Sequence, residues 1–201
     1  MCCGIMAHEV EAKYPVENLS RVQRALRSAG AEFRGTFLQS DCFYDLPDHT
    51  YRKNGCGLRL RSLKILKSGA VKLDPRPEIT FKGPVKPNAK VKIRREIQTR
   101  LDCGKTAHQL MLACGLKQVM CVEKRRSSYR LGRCLVELDQ LPMLGTFVEI
   151  EGPDEKTIEG VRQQLKIDSE HISASYLHLL AEHCKNKNLQ ADIITFERFG
   201  D

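Results

Sequence analysis

The sequence predicts an α+β fold dominated by an antiparallel β-sheet. Its extended segments alternate apolar and charged residues, which is the pattern of β-strands with two different faces. Helical patterns are interspersed among these segments, as in an α+β domain. With 201 residues, 41% of them hydrophobic and 29% charged, the chain is long enough for one sizeable globular domain.

The N-terminal half is predicted to hold one helix among several strands. The helix has its apolar stripe at Leu19, Val22 and Leu26, with Asn18 as N-cap and Gly30 as the stop. Turn residues in "PDHT" and "KNGCG" separate two of the extended segments. In order, the elements are a strand at 6–16, the helix at 18–29, an extended segment at 32–45 and a strand at 57–66.

The C-terminal half is predicted to alternate again before it turns helical. Leu131-Gly132 is a plausible tight hairpin between two long strands, and Pro153-Asp154 opens a helix. We expect strands at 78–83, 91–100, 117–131, 133–141 and 146–151, and helices at 104–114, 154–165 and 173–184. We expect residues 1–184 to form a single domain and residues 185–201 to be a tail of unassigned structure.

Charged residues are sorted by sign along the polar faces of these strands. A sheet with one solvated face gives the same alternation and explains any single strand. The sorting, and the scarcity of Ser, Thr and Gln at the polar positions, favour a binding site instead. The charged faces are Glu9, Glu11 and Lys13; Arg59 and Arg61; Glu78 and Lys82; Lys92, Arg94 and Glu96; Lys124 and Arg126; Glu137 and Asp139; and Glu149 and Glu151.

If the sheet closes on itself, these faces meet in one lumen. Two like charges about 4 Å apart repel by about 4 kcal/mol at an effective dielectric constant of 20, so something must lie between them. Clustered carboxylates attract a hard cation such as Mg²⁺ or Mn²⁺. Clustered arginines and lysines attract a polyanion, and arginine fits phosphate oxygens well. Both together indicate a site for a metal and a triphosphate.

The chain resembles the CYTH superfamily, the triphosphate tunnel metalloenzymes. "HEVEAKYPV" at 8–16 contains the E-x-E-x-K signature of that family. The other family motifs follow in order over about residues 6–180: Arg59-x-Arg61, "TFKGP" at 80–84, Arg94-x-Glu96, Lys124-x-Arg126, "ELD" at 137–139, "GTFVEIEG" at 145–152 and Ser175-Tyr176. The resemblance implies a closed eight-stranded antiparallel β-barrel, a tunnel with helices packed outside it.

The resemblance also implies the roles of the charged residues. One or two divalent ions, Mg²⁺ or Mn²⁺, would be held by Glu9, Glu11, Asp139, Glu149 and Glu151. The triphosphate would be held by Lys13, Arg59, Arg61, Lys82, Arg94, Lys124 and Arg126. Lys13, Glu96 and Glu137 are the candidate catalytic residues, as a base or as groups that assist the metal or orient basic side chains. Ser175 and Tyr176 are expected to serve packing.

Within the family, "TFKGP" followed by "KIRREI" is most similar to the class IV adenylate cyclase branch. That branch converts ATP to cyclic AMP and pyrophosphate. The alternative is a triphosphatase that hydrolyses inorganic tripolyphosphate, thiamine triphosphate or a nucleoside triphosphate. A second alternative is a non-catalytic binder of polyphosphate or nucleotide. The sequence does not identify an adenine pocket.

Charge and cysteine content restrict the partners. A net charge of +8 suits an anionic partner, here a small-molecule triphosphate. We expect no nucleic-acid partner, because Phe81 lies opposite Lys82 across its strand and does not share its face. No apolar run reaches membrane-spanning length, so no membrane partner is expected, and a homodimer is left open. The nine scattered cysteines contain no C-x-x-C pair and predict reduced thiols in a cytoplasmic protein.

Overall fold

A computed structural model describes residues 10–70, 74–84, 95–190 and 192–200. Glu9 and Arg94, two of the predicted site residues, lie outside this part of the chain. The strands are β1 (Val10–Pro15), β2 (Glu32–Asp45), β3 (Gly57–Ser68), β4 (Glu78–Lys82), β5 (Glu96–Arg100), β6 (Lys117–Leu131), β7 (Cys134–Leu141), β8 (Gly145–Gly152) and β9 (Ile193–Ile194). The helices are α1 (Leu19–Ser28), α2 (Thr50–Lys53), α3 (Gly104–Ala113), α4 (Glu155–Gln164), α5 (Tyr176–Asn186) and α6 (Phe196–Phe199).

Eight strands form one antiparallel sheet in the order β1-β8-β7-β6-β2-β3-β4-β5. This confirms the α+β class and the antiparallel strand order. The closed barrel is not confirmed, because the described residues show no pairing between the two edge strands, β1 and β5. Both edges are short within the described residues, with six residues in β1 and five in β5, whereas β2 and β6 at the centre have 14 and 15.

The local signals for helices and turns agree with the structure. The Asn18 side chain accepts a hydrogen bond from the Arg21 backbone N–H, and Val22 and Leu26 are buried. Gly30 follows α1 with a φ of 72°, a left-handed conformation that glycine adopts without strain. Gly132 takes a φ of 57° between β6 and β7, where the hairpin was predicted.

Three helices cover the outer face of the sheet, but α5 does not. α1 and α4 pack on the apolar face of β1, β7 and β8, around Val148 and Ile150. α3 packs on β2 and β3 through Met111. α5 instead packs through Leu180 on Val122, Leu141 and Phe147, which lie an even number of residues from the charged residues of β6, β7 and β8 and therefore share their face of the sheet. The prediction that helices pack only outside the sheet is therefore wrong for α5, whose apolar face fills part of the inner side.

The C-terminal residues join the same sheet. β9 pairs in parallel with β6, where Cys121 and Val122 face Ile193 and Ile194. Ile194 is fully buried, and the Phe196 backbone N–H donates to the Glu123 carboxylate at 3.1 Å. No periodic pattern predicts this segment, because two strand residues and four helical residues are too few to show a period. In the part of the chain that the structure describes, no helix has the length and apolarity needed to cross a membrane.

A disulfide joins Cys42 on β2 to Cys121 on β6. The two residues are direct partners in the strand register, with their Cα atoms 4.0 Å apart. The prediction of reduced thiols is wrong for this pair, because a separation of 79 residues in sequence hides their contact in the sheet. The described free cysteines are Cys56, Cys103, Cys114, Cys134 and Cys184. The cytoplasmic location stays a prediction.

Reduction of this disulfide is expected to lower the free energy of unfolding by about 2–4 kcal/mol, because it releases a long loop in the unfolded chain. Urea denaturation of the oxidised protein, with and without a phosphine reductant, measures the difference. Cys42→Ser should reproduce the effect of the reductant, and Cys103→Ser, at an exposed free cysteine, should not. Equal urea midpoints for all samples would contradict the assignment of a disulfide between Cys42 and Cys121.

Candidate active site

The inner side of the sheet encloses a cavity of about 840 Å³. Each of the eight antiparallel strands contributes a side chain to its wall, and α5 closes part of it. The charged groups that line it are Glu11, Lys13, Asp41, Asp45, Arg52, Arg59, Arg61, Glu78, Lys82, Glu96, Lys124, Arg126, Glu137, Glu149 and Glu151. The charged faces therefore converge on one cavity although the described strands do not form a closed ring.

Arg126 is the centre of the first charged group. Its Nε and Nη2 atoms donate to the two oxygens of Asp139 at 2.6 and 2.5 Å, and its guanidinium also contacts Glu137 and Glu149. Burial disfavours the charged guanidinium, but Asp139 and Glu149 hold the pKa of Arg126 well above its usual value. Burial likewise opposes the charge of Glu149, and the attraction of Arg126, Lys124 and Lys13 outweighs it, so the pKa of Glu149 is lowered.

Two lysines complete this group. Lys13 on β1 lies 3.4 Å from the Glu149 carboxylate and donates to the Ala174 carbonyl at 3.0 Å. Lys124 on β6 lies 3.3 Å from Asp139. Burial, reinforced by the neighbouring Arg126, lowers the pKa of Lys124 to about 8. The Lys124 ammonium therefore titrates close to neutral pH.

Asp41 organises a second group on β2, β3 and β4. Arg61 binds both oxygens of Asp41, at 2.6 and 2.7 Å. Arg59 reaches Asp41 at 3.8 Å and Glu78 at 3.7 Å. Although burial raises the pKa of Asp41, Arg61 and Arg59 lower it more, and the pKa lies below its usual range. The sequence analysis did not identify Asp41. The available indication was that Asp41 is an isolated acidic residue within the long strand β2, on the same face as Gln39.

Lys82 and Glu96 form a third group near the β5 edge. They are direct partners in the register of β4 and β5, and their charged atoms lie 3.1 Å apart. The structure thus pairs a predicted triphosphate ligand with a predicted catalytic acid. An ion pair of this kind positions the lysine on the cavity wall.

Glutamates face each other across β1, β8 and β7. Glu11 is the register partner of Glu151, and Glu137 is the register partner of Glu149. Like charges directly opposite one another destabilise a sheet, and a cation between them removes this cost. Their oxygens are the donors that Mg²⁺ and Mn²⁺ prefer. Within the described ranges no three acidic, thiol or imidazole groups converge as a ready-made metal site. Mg²⁺ commonly uses one or two carboxylates and takes its other ligands from phosphate and water.

Asp139 is a member of the predicted metal set that does not line the cavity, whereas Glu11, Glu149 and Glu151 do. Its side chain is fully buried and accepts hydrogen bonds from Lys124, Arg126 and the Tyr176 hydroxyl. These contacts favour a role in holding the two cations. Its role as a metal ligand, like the other assigned roles, stays a prediction.

Binding of tripolyphosphate with Mg²⁺ is expected to weaken as the pH rises through about 8, because the protonated Lys124 ammonium attracts the phosphates and its pKa lies there. The ligand favours the protonated form, so the affinity should fall by up to about tenfold per pH unit above this value. Calorimetric titration from about pH 7 to about pH 9.5 measures it. In Lys124→Arg the guanidinium keeps its charge, and the affinity should stay level. A fall of equal slope in both proteins would contradict the role of Lys124.

Fold and cavity together define a class of protein in which an antiparallel sheet presents paired acids and bases to one cavity. The chain belongs to the CYTH domain family, whose sequence model matches residues 7–176.

Individual relatives agree with this assignment. The chain is 30% identical to adenylate cyclase CyaB of Aeromonas hydrophila over 161 residues, which is 79% of this chain and 76% of that protein. A Vibrio parahaemolyticus protein, described as a candidate adenylate cyclase, matches in structure with a TM-score of 0.73 and 24% identity, over 88% of this chain and 99% of that one. HpAC1 of Hippeastrum, described as having a dominant triphosphatase activity, matches with a TM-score of 0.66 and 15% identity, over 87% and 94%.

Proposed function

We propose that the protein is a metal-dependent enzyme that acts on a small-molecule triphosphate in the cavity of the sheet. The observation that carries the proposal is the composition of the cavity wall. Among the residues that the structure describes, seven basic and eight acidic side chains line it, so this part of the wall has a formal charge of −1 in spite of its many arginines and lysines. A triphosphate alone would add about four negative charges to a wall that is already balanced. When divalent cations lie between the phosphates and the glutamates, the charges of the wall, the cations and the triphosphate balance one another.

The proposed roles follow from the three charged groups. Arg59, Arg61, Lys82, Lys124 and Arg126, with Arg94, would bind phosphate oxygens from the side of β3, β4 and β6. Glu11 and Glu151, with Glu9, would hold Mg²⁺ or Mn²⁺ from the side of β1 and β8. Such a metal would neutralise phosphate charge and polarise the attacking or the leaving oxygen. Lys13, Glu137 and Glu96 already contact carboxylates or cations of the cavity, which orients them for proton transfer or for positioning.

For the reaction itself we propose the chemistry of a class IV adenylate cyclase. The 3′-hydroxyl of ATP attacks the α-phosphorus, the bond to the bridging oxygen breaks, and pyrophosphate leaves with cyclic AMP as the second product. The similarity to CyaB of A. hydrophila supports this choice. Hydrolysis of a terminal phosphate by water is the second candidate, and the dominant triphosphatase activity of HpAC1 favours it. The closed tunnel belongs to the proposal as well: β1 and β5 are the edges that would have to meet.

A panel of substrates and metals tests the proposal. ATP, thiamine triphosphate and tripolyphosphate are each incubated with Mg²⁺ or Mn²⁺, and the products are separated. Cyclic AMP with pyrophosphate identifies a cyclase, and orthophosphate identifies a hydrolase. Arg126→Met, purified in the same way, is the control for contaminating phosphatases. Tight binding without turnover under either metal would identify a non-catalytic binder and overturn the enzymatic proposal.

A further inference from the structure

Tyr176 lines the cavity and belongs to neither the assigned metal set nor the assigned phosphate set. It is the first residue of α5, and the Ser175 side chain caps that helix by accepting the His178 N–H at 3.2 Å. Its ring packs edge-on against Phe147, with the ring centroids 5.2 Å apart. The helix start and Phe147 therefore fix the ring in the cavity, at the level of Lys13 and Lys124.

The ring face of Tyr176 is one of three groups around the Lys13 ammonium. Lys13 Nζ lies 3.9 Å from the ring centroid, 3.0 Å from the Ala174 carbonyl and 3.4 Å from the Glu149 carboxylate. An ammonium has three N–H donors, and these three neighbours can receive all of them. Lys13 is only 5% exposed, so the cation–π contact is made out of water, where such contacts are strongest.

The backbone before α5 keeps this arrangement in register with β1. The Ile172 N–H donates to the Lys13 carbonyl at 2.8 Å, so the segment that supplies Ala174 and Tyr176 is tied to the residue that it surrounds. The other end of Tyr176 reaches β7, because its hydroxyl donates to Asp139 at 3.0 Å. Tyr176 thus links a cation of β1 with the carboxylate that holds Lys124 and Arg126.

We propose that Tyr176 is a positioning residue whose ring face holds the Lys13 ammonium beside Glu149 for the reaction. The kinetic part of this inference rests on the proposed function, and the placement of Lys13 does not. The ring acts where a charged partner could not, because it orients a cation without adding a negative charge to a cavity that must accept a triphosphate.

Two substitutions separate the ring from the hydroxyl. Tyr176→Phe keeps the ring face and loses the hydrogen bond to Asp139, whereas Tyr176→Leu loses both. We expect Tyr176→Leu to lower kcat about 30-fold, the size of a desolvated cation–π contact, and to change KM by less than about threefold, because the other cations still bind the phosphates. Tyr176→Phe should recover at least about a third of the wild-type kcat.

A spectroscopic measurement follows Lys13 without any substrate. In protein labelled with ¹³Cε-lysine, the methylene protons next to the Lys13 ammonium should be shifted upfield by the ring, and Lys13→Arg assigns the signal. The shift should persist in Tyr176→Phe and vanish in Tyr176→Leu. Thermal melting of each variant shows whether it is folded, and Tyr176→Phe keeps the test decisive if Tyr176→Leu does not fold.

The outcomes are distinct. An upfield Lys13 signal in the wild type and in Tyr176→Phe, with the kinetic difference above, supports the inference. No upfield signal in the wild type, or an equal loss of kcat in both variants, overturns it, since the hydroxyl or the fold would then carry the effect. An upfield Lys13 signal in a wild type that turns over none of the triphosphates supports the placement of Lys13 and overturns only the proposed function.

Discussion

Arg126→Met is expected to abolish triphosphate binding and to lower the free energy of unfolding by about 3–5 kcal/mol, the usual cost of removing one partner from a buried ion pair. Arg126 serves three carboxylates, those of Glu137, Asp139 and Glu149, and its side chain is 8% exposed. Without the guanidinium these carboxylates remain buried and lose their main cation. Urea denaturation and calorimetric titration with tripolyphosphate and Mg²⁺ measure the two effects.

The pH dependence identifies the cause of this instability. Arg126 helps to hold the pKa of Glu149 below its usual range, and burial would raise it in the variant. The stability gap between wild type and variant should therefore be largest near neutral pH and should shrink as the pH falls, because native Glu149 becomes protonated in the variant before it does in the wild type. Arg130→Met, at an exposed position on the same strand, should change stability by less than about 0.5 kcal/mol. A gap independent of pH would point to lost packing instead of unpaired carboxylates.

Glu11→Gln combined with Glu151→Gln is expected to lower kcat/KM by about 10²–10⁴-fold without loss of stability, because a catalytic metal supplies several kcal/mol of transition-state stabilisation. The two glutamates are register partners, so replacing both removes a repulsion as well as two metal ligands. The free energy of unfolding in the absence of metal should stay level or rise by a few tenths of a kcal/mol. Turnover in the substrate panel and denaturation in a chelator measure the two quantities.

Glu17→Gln is the matched control for the double variant. Glu17 is exposed just after β1, and its substitution removes the same type of charge without touching the cavity. It should leave turnover and the metal concentration for half-maximal activity within about twofold of the wild type. If the double variant kept full turnover with an unchanged metal requirement, the metal would lie elsewhere.

The sequence predicts the strands of this fold better than their closure. Alternation along β3 and β7 and through the middle of β6 placed Arg61, Lys124 and Arg126 on the cavity face. Whether the edges pair depends on curvature accumulated over eight strands, which no local pattern records. The position of α5 could not be predicted either, because it also depends on how distant elements pack. Its apolar stripe shows that one face is buried, but not which side of the sheet covers it.

The alternation of residues predicted most of the described charged groups that line the cavity, but not their pairs. It assigned Glu137, Glu149 and Arg126 to one face, yet only the register shows that they form one group. Asp41 was missed, and Tyr176 was expected only to serve packing, because the contacts of Asp41 with Arg61 and of Tyr176 with Lys13 are not visible in the sequence. The disulfide between Cys42 and Cys121 was missed for the same reason.

Calorimetric titration of the wild-type protein with a non-hydrolysable tripolyphosphate analogue, with Mg²⁺ and with a chelator, measures whether the metal and the phosphates bind together. The part of the cavity wall that the structure describes is nearly neutral, so the ligand alone should bind weakly. We expect binding to be at least about 100-fold tighter with Mg²⁺, because a cation relieves several like-charge contacts. Equal affinity in the chelator would show that the basic side chains alone hold the phosphates, and it would contradict metal-dependent binding.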